Sequence, residues 1–225
     1  MTSLDAKQAD SYATRLKQLD SCAVSDALDK LGLAGVAVGI VRIASSQRIA
    51  GRVLTVQLGV GAPASGKPRH LGTTAIEAAQ PGEIIVVEQT TGIYSGCWGG
   101  ILSLGAKLRG VAGMIADGLV RDVDDATQLD FPVFARGATP VTARGRVGEV
   151  ANNQPVTIAG VKVQTGDYAI ADGSGVVFIA AADIARVLDA AEAISAAEAA
   201  MARSLREGKP ITEVMGASYE HMLRR

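Results

Sequence analysis

Apolar residues at Ala9, Tyr12, Ala13, Leu16 and Leu19 recur every three to four positions, so the spacing predicts a helix over residues 8–19. A polar start at Ser25-Asp26 and a stop at Gly32 predict a short second helix over 25–31. The period then changes. Residues 49–60 alternate loosely and are rich in β-branched side chains, which predicts a strand. Glycine, proline and serine punctuate 61–68 as a loop. A helix is expected over 71–79, ended before Pro81-Gly82, and a β-branched strand over 83–88. A glycine-rich loop at 92–99 precedes a helix over 101–108 that Gly110 closes. Val111-Ala112-Gly113-Met114-Ile115-Ala116 is a short apolar run bounded by glycines, the signature of a buried strand, and it leads toward Arg121-Asp122.

Later strands are shorter, at 133–134, 147–148, 156–163 and 176–179, with Gly, Pro and Asn turns between them. A long Ala/Glu/Arg-rich helix is expected from about 182 to 206, broken by Gly208 and Pro210. No repeat or low-complexity linker interrupts this order. Crossing helices followed by antiparallel-looking strands predict a single layered α/β domain over residues 1–225, with 182–225 as a C-terminal helical arm.

Composition sharpens that picture. A chain of 225 residues can bury a proper core, and with 48% hydrophobic residues, only 4% aromatics and 26 glycines the core must be aliphatic and closely packed. A net charge of −1 without a sustained Lys/Arg run argues against a nucleic-acid partner. No apolar run approaches the roughly 18 residues of a membrane span. The N-terminal residues lack the basic start and apolar stretch of a signal peptide, so a cytoplasmic location is expected. Cys22 and Cys97 have no metal-ligand spacing and read as reduced thiols.

Chemistry concentrates in one stretch. Gly96-Cys97-Trp98-Gly99-Gly100 places unobstructed amides at the start of the 101–108 helix, where geometry and dipole suit a small anion; a plain loop with tight turns is the alternative. Asp117-Gly118-Leu119-Val120-Arg121-Asp122 then sets an Arg–Asp pair beyond the carboxyl end of an apolar strand, where open α/β sheets bind ligands. A guanidinium can clamp a carboxylate or enolate with its planar fork, and a carboxylate can hold a divalent metal. Most Arg-Asp pairs are solvated, so it is the context that singles this one out. Neither a dinucleotide fingerprint nor a Walker A sequence is present. Trp98 reads as a packing or subunit-contact residue. His70, just before the 71–79 helix, reads as a capping or surface histidine that could also face a site, and His221 lies in a polar tail. Asp124 and Asp125 suit the first turn of a helix, and Glu192 and Glu198 read as solvated unless the arm packs on a neighbouring subunit.

At these residues the chain resembles the RraA-like family, which includes 4-hydroxy-4-methyl-2-oxoglutarate aldolases, members named as regulators of ribonuclease E, and others mislabelled demethylmenaquinone methyltransferases. The resemblance runs through Val24-Ser25-Asp26-Ala27-Leu28, Ile49-Ala50-Gly51 and Pro81-Gly82-Glu83-Ile84-Ile85-Val86-Val87. It continues through Gly110-Val111-Ala112-Gly113, Asp117 to Asp122, Pro132 to Gly137, and Ala171-Asp172-Gly173. It implies an α/β fold of the swivelling β/β/α type, assembled as a homotrimer or a dimer of trimers. It implies that Arg121 binds substrate and stabilises an enolate, and that Asp122 holds Mg²⁺ or Mn²⁺. The amides of Gly99, Gly100, Ile101 and Leu102 would receive a pyruvoyl carboxylate, and Glu198 is the closest match for a glutamate reaching a neighbouring subunit's site. One position departs: Gly100 stands where the aldolases carry a carboxylate that orders water. The expected function is a metal-dependent carbon–carbon lyase on a small 2-oxo acid, of aldolase or oxaloacetate decarboxylase type. A non-catalytic regulator that binds another protein is the alternative. Loss of the acid at 100 predicts weaker aldol cleavage than decarboxylation, unless another group, with His70 the first candidate, supplies the base.

Overall fold

The computed structural model describes residues 11–61 and 70–216. After a helical segment at 11–16 comes α1 (Ser21–Leu31), then β1 (Val41–Ala44) and the long β2 (Ile49–Val60). Alternating elements follow as α2 (Thr73–Ala78), β3 (Ile84–Glu88), α3 (Gly100–Leu108), β4 (Gly113–Asp117), β5 (Leu119–Val120), α4 (Val123–Gln128) and β6 (Val133–Ala135). Short strands β7 (Gly137–Ala138), β8 (Val147–Asn152), β9 (Val156–Ile158), β10 (Val161–Val163), β11 (Tyr168–Ala171) and β12 (Val176–Ile179) lead to α5 (Ile184–Arg206) and α6 (Ile211–Val214).

The main sheet has the order β1-β6-β4-β3-β2-β11-β12, with β8 also on β2. Strands β2, β3, β4 and β6 run parallel, whereas β1, β8, β11 and β12 pair antiparallel. Strand β2 carries the curl. Its first residues pair with β11, its middle with β3 and its last with β8, so one strand of 12 residues belongs to three neighbourhoods. The central strands are apolar without a break because both faces are covered. Ile85, Val87, Met114 and Ala116 face α2 and α3, while Ile84, Val86 and Ile115 face the β9–β10 hairpin. A third cluster joins α1 and α5 to β11 and β12 through Leu28, Ile170, Val177, Val187 and Leu188. This is the expected α/β architecture. Among the described residues no helix is long and apolar enough to cross a membrane.

Several boundaries move for physical reasons. Helix α1 begins at Ser21 rather than Ser25, because Asp20 caps it by accepting from the Ala23 N–H at 2.8 Å. Helix α2 begins at Thr73 because Gly72 is left-handed at φ 78°. The strand expected to run into Arg121 stops at Asp117, and the chain turns at Gly118 into the separate β5. Strands β1 and β11 were not anticipated. The C-terminal helix is only partly an arm: Ile184, Val187, Leu188, Ala191 and Ile194 are core residues, and the exposed part begins after them. The loop expected at 61–68 (beyond Gly61), the first residues of the 8–19 helix, and His221 lie outside the described residues.

Candidate functional site

Backbone pairing brings the two glycine- and charge-bearing segments together. Gly96 forms a parallel bridge with Leu119, the Cys97 N–H donates to the Leu119 carbonyl at 2.7 Å, and the Arg121 N–H donates to the Trp98 carbonyl at 2.9 Å. Short β5 is therefore stitched to the loop that opens α3. Asp122 follows in a left-handed conformation, φ 54° and ψ 45°, which few non-glycine residues adopt and which aspartate tolerates better than most. That turn returns its side chain to the α3 start, where the Gly100 N–H donates to Asp122 Oδ2 at 3.0 Å across 22 residues of sequence. Arg121 Nε donates to Asp122 Oδ1 at 3.2 Å. Glycine is needed for this approach: a Cβ on Gly99 would lie 2.6 Å from Asp122 Oδ2, and one on Gly96 would lie 3.1 Å from Arg121 Cγ.

Helix α3 has no side-chain cap of its own. Asp122 takes the first amide and the Ser103 N–H turns back to the Gly99 carbonyl. Among the described residues, nothing accepts from Ile101 and Leu102 N–H, two of the orphan donors of a helix start. Trp98 is a packing residue, 2% exposed, whose indole N–H donates to Ser103 Oγ at 3.0 Å. Ser103 Oγ in turn donates to the Gly99 carbonyl at 3.2 Å, which fixes the turn beneath the amides.

A cleft of about 460 Å³ opens over this start, lined by Gly99, Gly100, Ile101, Leu102, Arg121, Asp122 and His70. The residues that the resemblance assigned to substrate and metal, Gly99 to Leu102, Arg121 and Asp122, thus meet, with His70 beside them. His70 is a turn residue at the rim: its carbonyl accepts from Thr73 Oγ1 at 2.7 Å, and Glu149 holds the adjoining Gly72 N–H at 2.7 Å. Glu198 does not join them. It sits exposed on α5, where partial desolvation and the nearby Asp20 and Asp26 push its carboxyl up. Glu192 is not simply solvated, because Arg15 binds it at 2.7 Å and Asp189 at 2.6 Å. Cys97 is fully buried and burial pushes its thiol up to about 12, which makes it unreactive at neutral pH.

Two neighbours were missed by sequence reasoning. Arg144 adds a second guanidinium to the lining, on a turn where Thr142 Oγ1 accepts from the Arg144 N–H at 3.2 Å. Asp125 falls in the first turn of α4 as expected, but its carboxylate also packs on Gly100: a Cβ there would lie 2.4 Å from Asp125 Oδ2. No local pattern announces either contact. Asp117, at the end of β4, has both oxygens engaged, by Arg136 Nε at 2.7 Å and the Ala159 N–H at 2.6 Å.

Among the described residues no three His, Cys, Asp or Glu side chains form a metal cage. The donor set fits only the kind of site that Mg²⁺ or Mn²⁺ uses, with one or two carboxylates and several waters. Asp122, 36% exposed at the cleft with one donor on each oxygen, satisfies that requirement.

A family model described as RraA-like (Aldolase/RraA) matches residues 21–178. A protein of Halalkalibacterium halodurans named "Putative 4-hydroxy-4-methyl-2-oxoglutarate aldolase" is 29% identical over 86% of this chain and 88% of its own length. Protein DlpA of Legionella pneumophila is 26% identical over 92% of this chain, which spans only 34% of that longer protein. Among solved structures, an uncharacterized protein from Pseudomonas syringae pv. tomato superposes with a TM-score of 0.82 at 28% identity, over 92% of this chain and 98% of that one. Streptomyces coelicolor RraAS2, titled an unusual member of the RNase ES inhibitor RraA protein family, shares the fold with a TM-score of 0.73 at 23% identity, over 88% of this chain and 96% of that one.

Proposed function

Because the chain belongs to the RraA-like family, we propose that its cleft is the site of a divalent-metal-dependent carbon–carbon lyase acting on a small 2-oxo acid. The observation that carries this reading is the hydrogen bond from Gly100 to Asp122, which puts an anion-receiving helix start, a guanidinium and an open carboxylate on one cleft. The free amides of Ile101 and Leu102 receive the substrate carboxylate. Arg121 keeps its terminal nitrogens for the oxygen that becomes anionic, since only Nε is engaged by Asp122. Asp122 would hold Mg²⁺ or Mn²⁺, and the ion would supply Lewis-acid polarisation of a 2-oxo group. Retro-aldol cleavage of a 4-hydroxy-2-oxo acid and β-decarboxylation of oxaloacetate both pass through a pyruvate enolate, so one arrangement serves both. A screen of 2-oxo acids with Mg²⁺ or Mn²⁺, reading pyruvate, tests this; no turnover above metal alone would reject it.

The cleft is completed, on this reading, by further copies of the chain in a homotrimer or dimer of trimers. Ile101, Leu104 and Leu108 share one face of α3 and are exposed at 83%, 39% and 79%. Ile101 also lines the cleft, and a neighbour seated on this face could bring Glu198 to it. The same apolar face supports the second reading, a regulatory surface for another protein. Light scattering at micromolar concentration tests the assembly, since a monomer would leave the cleft without a neighbour to complete it, and the pyruvate screen above separates the lyase from the regulator.

A further inference from the structure

We propose that Asp125, which packs on Gly100 of the cleft wall, supplies a second carboxylate to the cleft and accepts, through a water, the hydroxyl proton released in aldol cleavage; this rests on the lyase reading above. The starting observation is steric. Gly100 is not among the residues with positive φ, so its backbone would admit any side chain. What excludes one is Asp125: a Cβ at 100 would lie 2.4 Å from its Oδ2, 3.0 Å from its Cβ and 3.1 Å from its Cγ. The direction in which a side chain would leave residue 100 is therefore filled by a carboxylate arriving from α4. Glycine at 100 and aspartate at 125 fit each other as one unit.

That carboxylate is also uncommitted. Asp117 and Asp122 each accept on both oxygens. Among the described residues, no hydrogen bond or ion pair is formed by the Asp125 side chain, although its carboxylate packs on Gly100, a residue of the cleft wall. A water lying between it and the substrate then has a fixed acceptor.

In retro-aldol cleavage the C4 hydroxyl proton passes through this water to Asp125 as the C3–C4 electron pair moves to the 2-oxo carbon system. C4 becomes a carbonyl, the pyruvate enolate forms, and C3 later takes a proton back. Decarboxylation of oxaloacetate breaks the equivalent bond with CO₂ leaving and has no hydroxyl proton to remove. Asp125 should therefore matter for one reaction far more than for the other.

The experiment compares wild type, Asp125→Asn, Gly100→Ala and the exchange Gly100→Asp/Asp125→Ala, with Asp125→Ala as its reference. Pyruvate release from a 4-hydroxy-2-oxo acid and from oxaloacetate is measured, and Mn²⁺ is titrated by electron paramagnetic resonance without substrate. Asp125→Asn should lower aldol cleavage by about 10²-fold or more and decarboxylation by less than about tenfold, and should weaken Mn²⁺ binding by about 10-fold. Gly100→Ala should reproduce this by displacing Asp125, and combining it with Asp125→Asn should add little, as expected of one coupled unit. The exchange should recover at least about tenfold of the aldol cleavage lost in Asp125→Ala, a rescue that a merely structural role would not give. An active wild type whose Asp125→Asn variant keeps both the reaction ratio and the Mn²⁺ affinity overturns this inference alone. A wild type inactive on both substrates overturns the lyase reading and this inference together.

Discussion

At the start of α1, Ser21 gives its N–H and its hydroxyl to Asp172 at 2.8 and 2.7 Å, and the Ser174 N–H adds a third bond at 2.9 Å. At the start of α3, the Gly100 N–H and Arg121 Nε reach Asp122 at 3.0 and 3.2 Å. Both helices borrow a carboxylate from a distant strand end to satisfy an orphan amide. Their surroundings differ. Asp172 is 8% exposed; burial, the largest single influence, pushes its carboxyl up, yet the Ser21 and Ser174 hydrogen bonds and Arg48 outweigh it and hold the group below the ordinary range. Asp122 stands over a cleft on a left-handed turn with lone pairs to spare. A closed carboxylate is structure, and an open one is available for chemistry.

Exchanging the roles of the two carboxylates should fail, and single substitutions show why. Asp122→Asn should abolish metal-dependent turnover, a loss of about 10³-fold from the several kcal/mol a Lewis acid supplies. Its thermal midpoint should stay near wild type, because the site is open; steady-state kinetics and calorimetry check the two halves. Arg121→Lys should follow with about 10²–10³-fold in kcat/KM, since the charge survives but the planar fork does not. Wild-type kinetics in that variant would remove Arg121 from the mechanism.

The closed site should answer in stability instead. Asp172→Ala strands buried donors of Ser21 and Ser174 and should cost about 2–3 kcal/mol, or roughly 5–10 °C in Tm. The pH dependence has a definite sign. A carboxyl lowered by folding stabilises fully above its unfolded pKa of about 3.9 and loses that contribution as pH falls through the lower folded value. The gap between wild type and Asp172→Ala in urea unfolding should thus be flat above about pH 5 and narrow below pH 4. Asp20→Ala, which removes only the exposed cap on Ala23, should cost about 1 kcal/mol.

Local patterns carried much of this arrangement. Strand β2 and the core of α3 and α5 follow from apolar period and glycine stops, and the family resemblance placed Gly99 to Leu102 beside Arg121 and Asp122. What stayed hidden depends on packing between elements. Ser25 and Asp20 are both residue types that cap helices, and the Asp20 cap on Ala23 together with the burial of Ala23 and Val24 selects the earlier start. Strand β11 is four buried residues, too short a run to show alternation. The seat of Asp125 on Gly100 and the entry of Arg144 into the cleft are set by how α4 and the 142–145 turn dock, which no spacing encodes. Glu198 is not among the residues that line the cleft and stands exposed on α5, a placement set by how the helix docks and not by its spacing.

The most direct measurement is pyruvate release from oxaloacetate and from 4-hydroxy-4-methyl-2-oxoglutarate by the purified protein, metal-stripped and then reloaded with Mn²⁺, beside Asp122→Asn. The open-carboxylate account predicts turnover above that of Mn²⁺ alone in the reloaded wild type, none after stripping, and none in Asp122→Asn under either condition. Release that survives exhaustive chelation, or an Asp122→Asn protein that turns over at the wild-type rate, would contradict it.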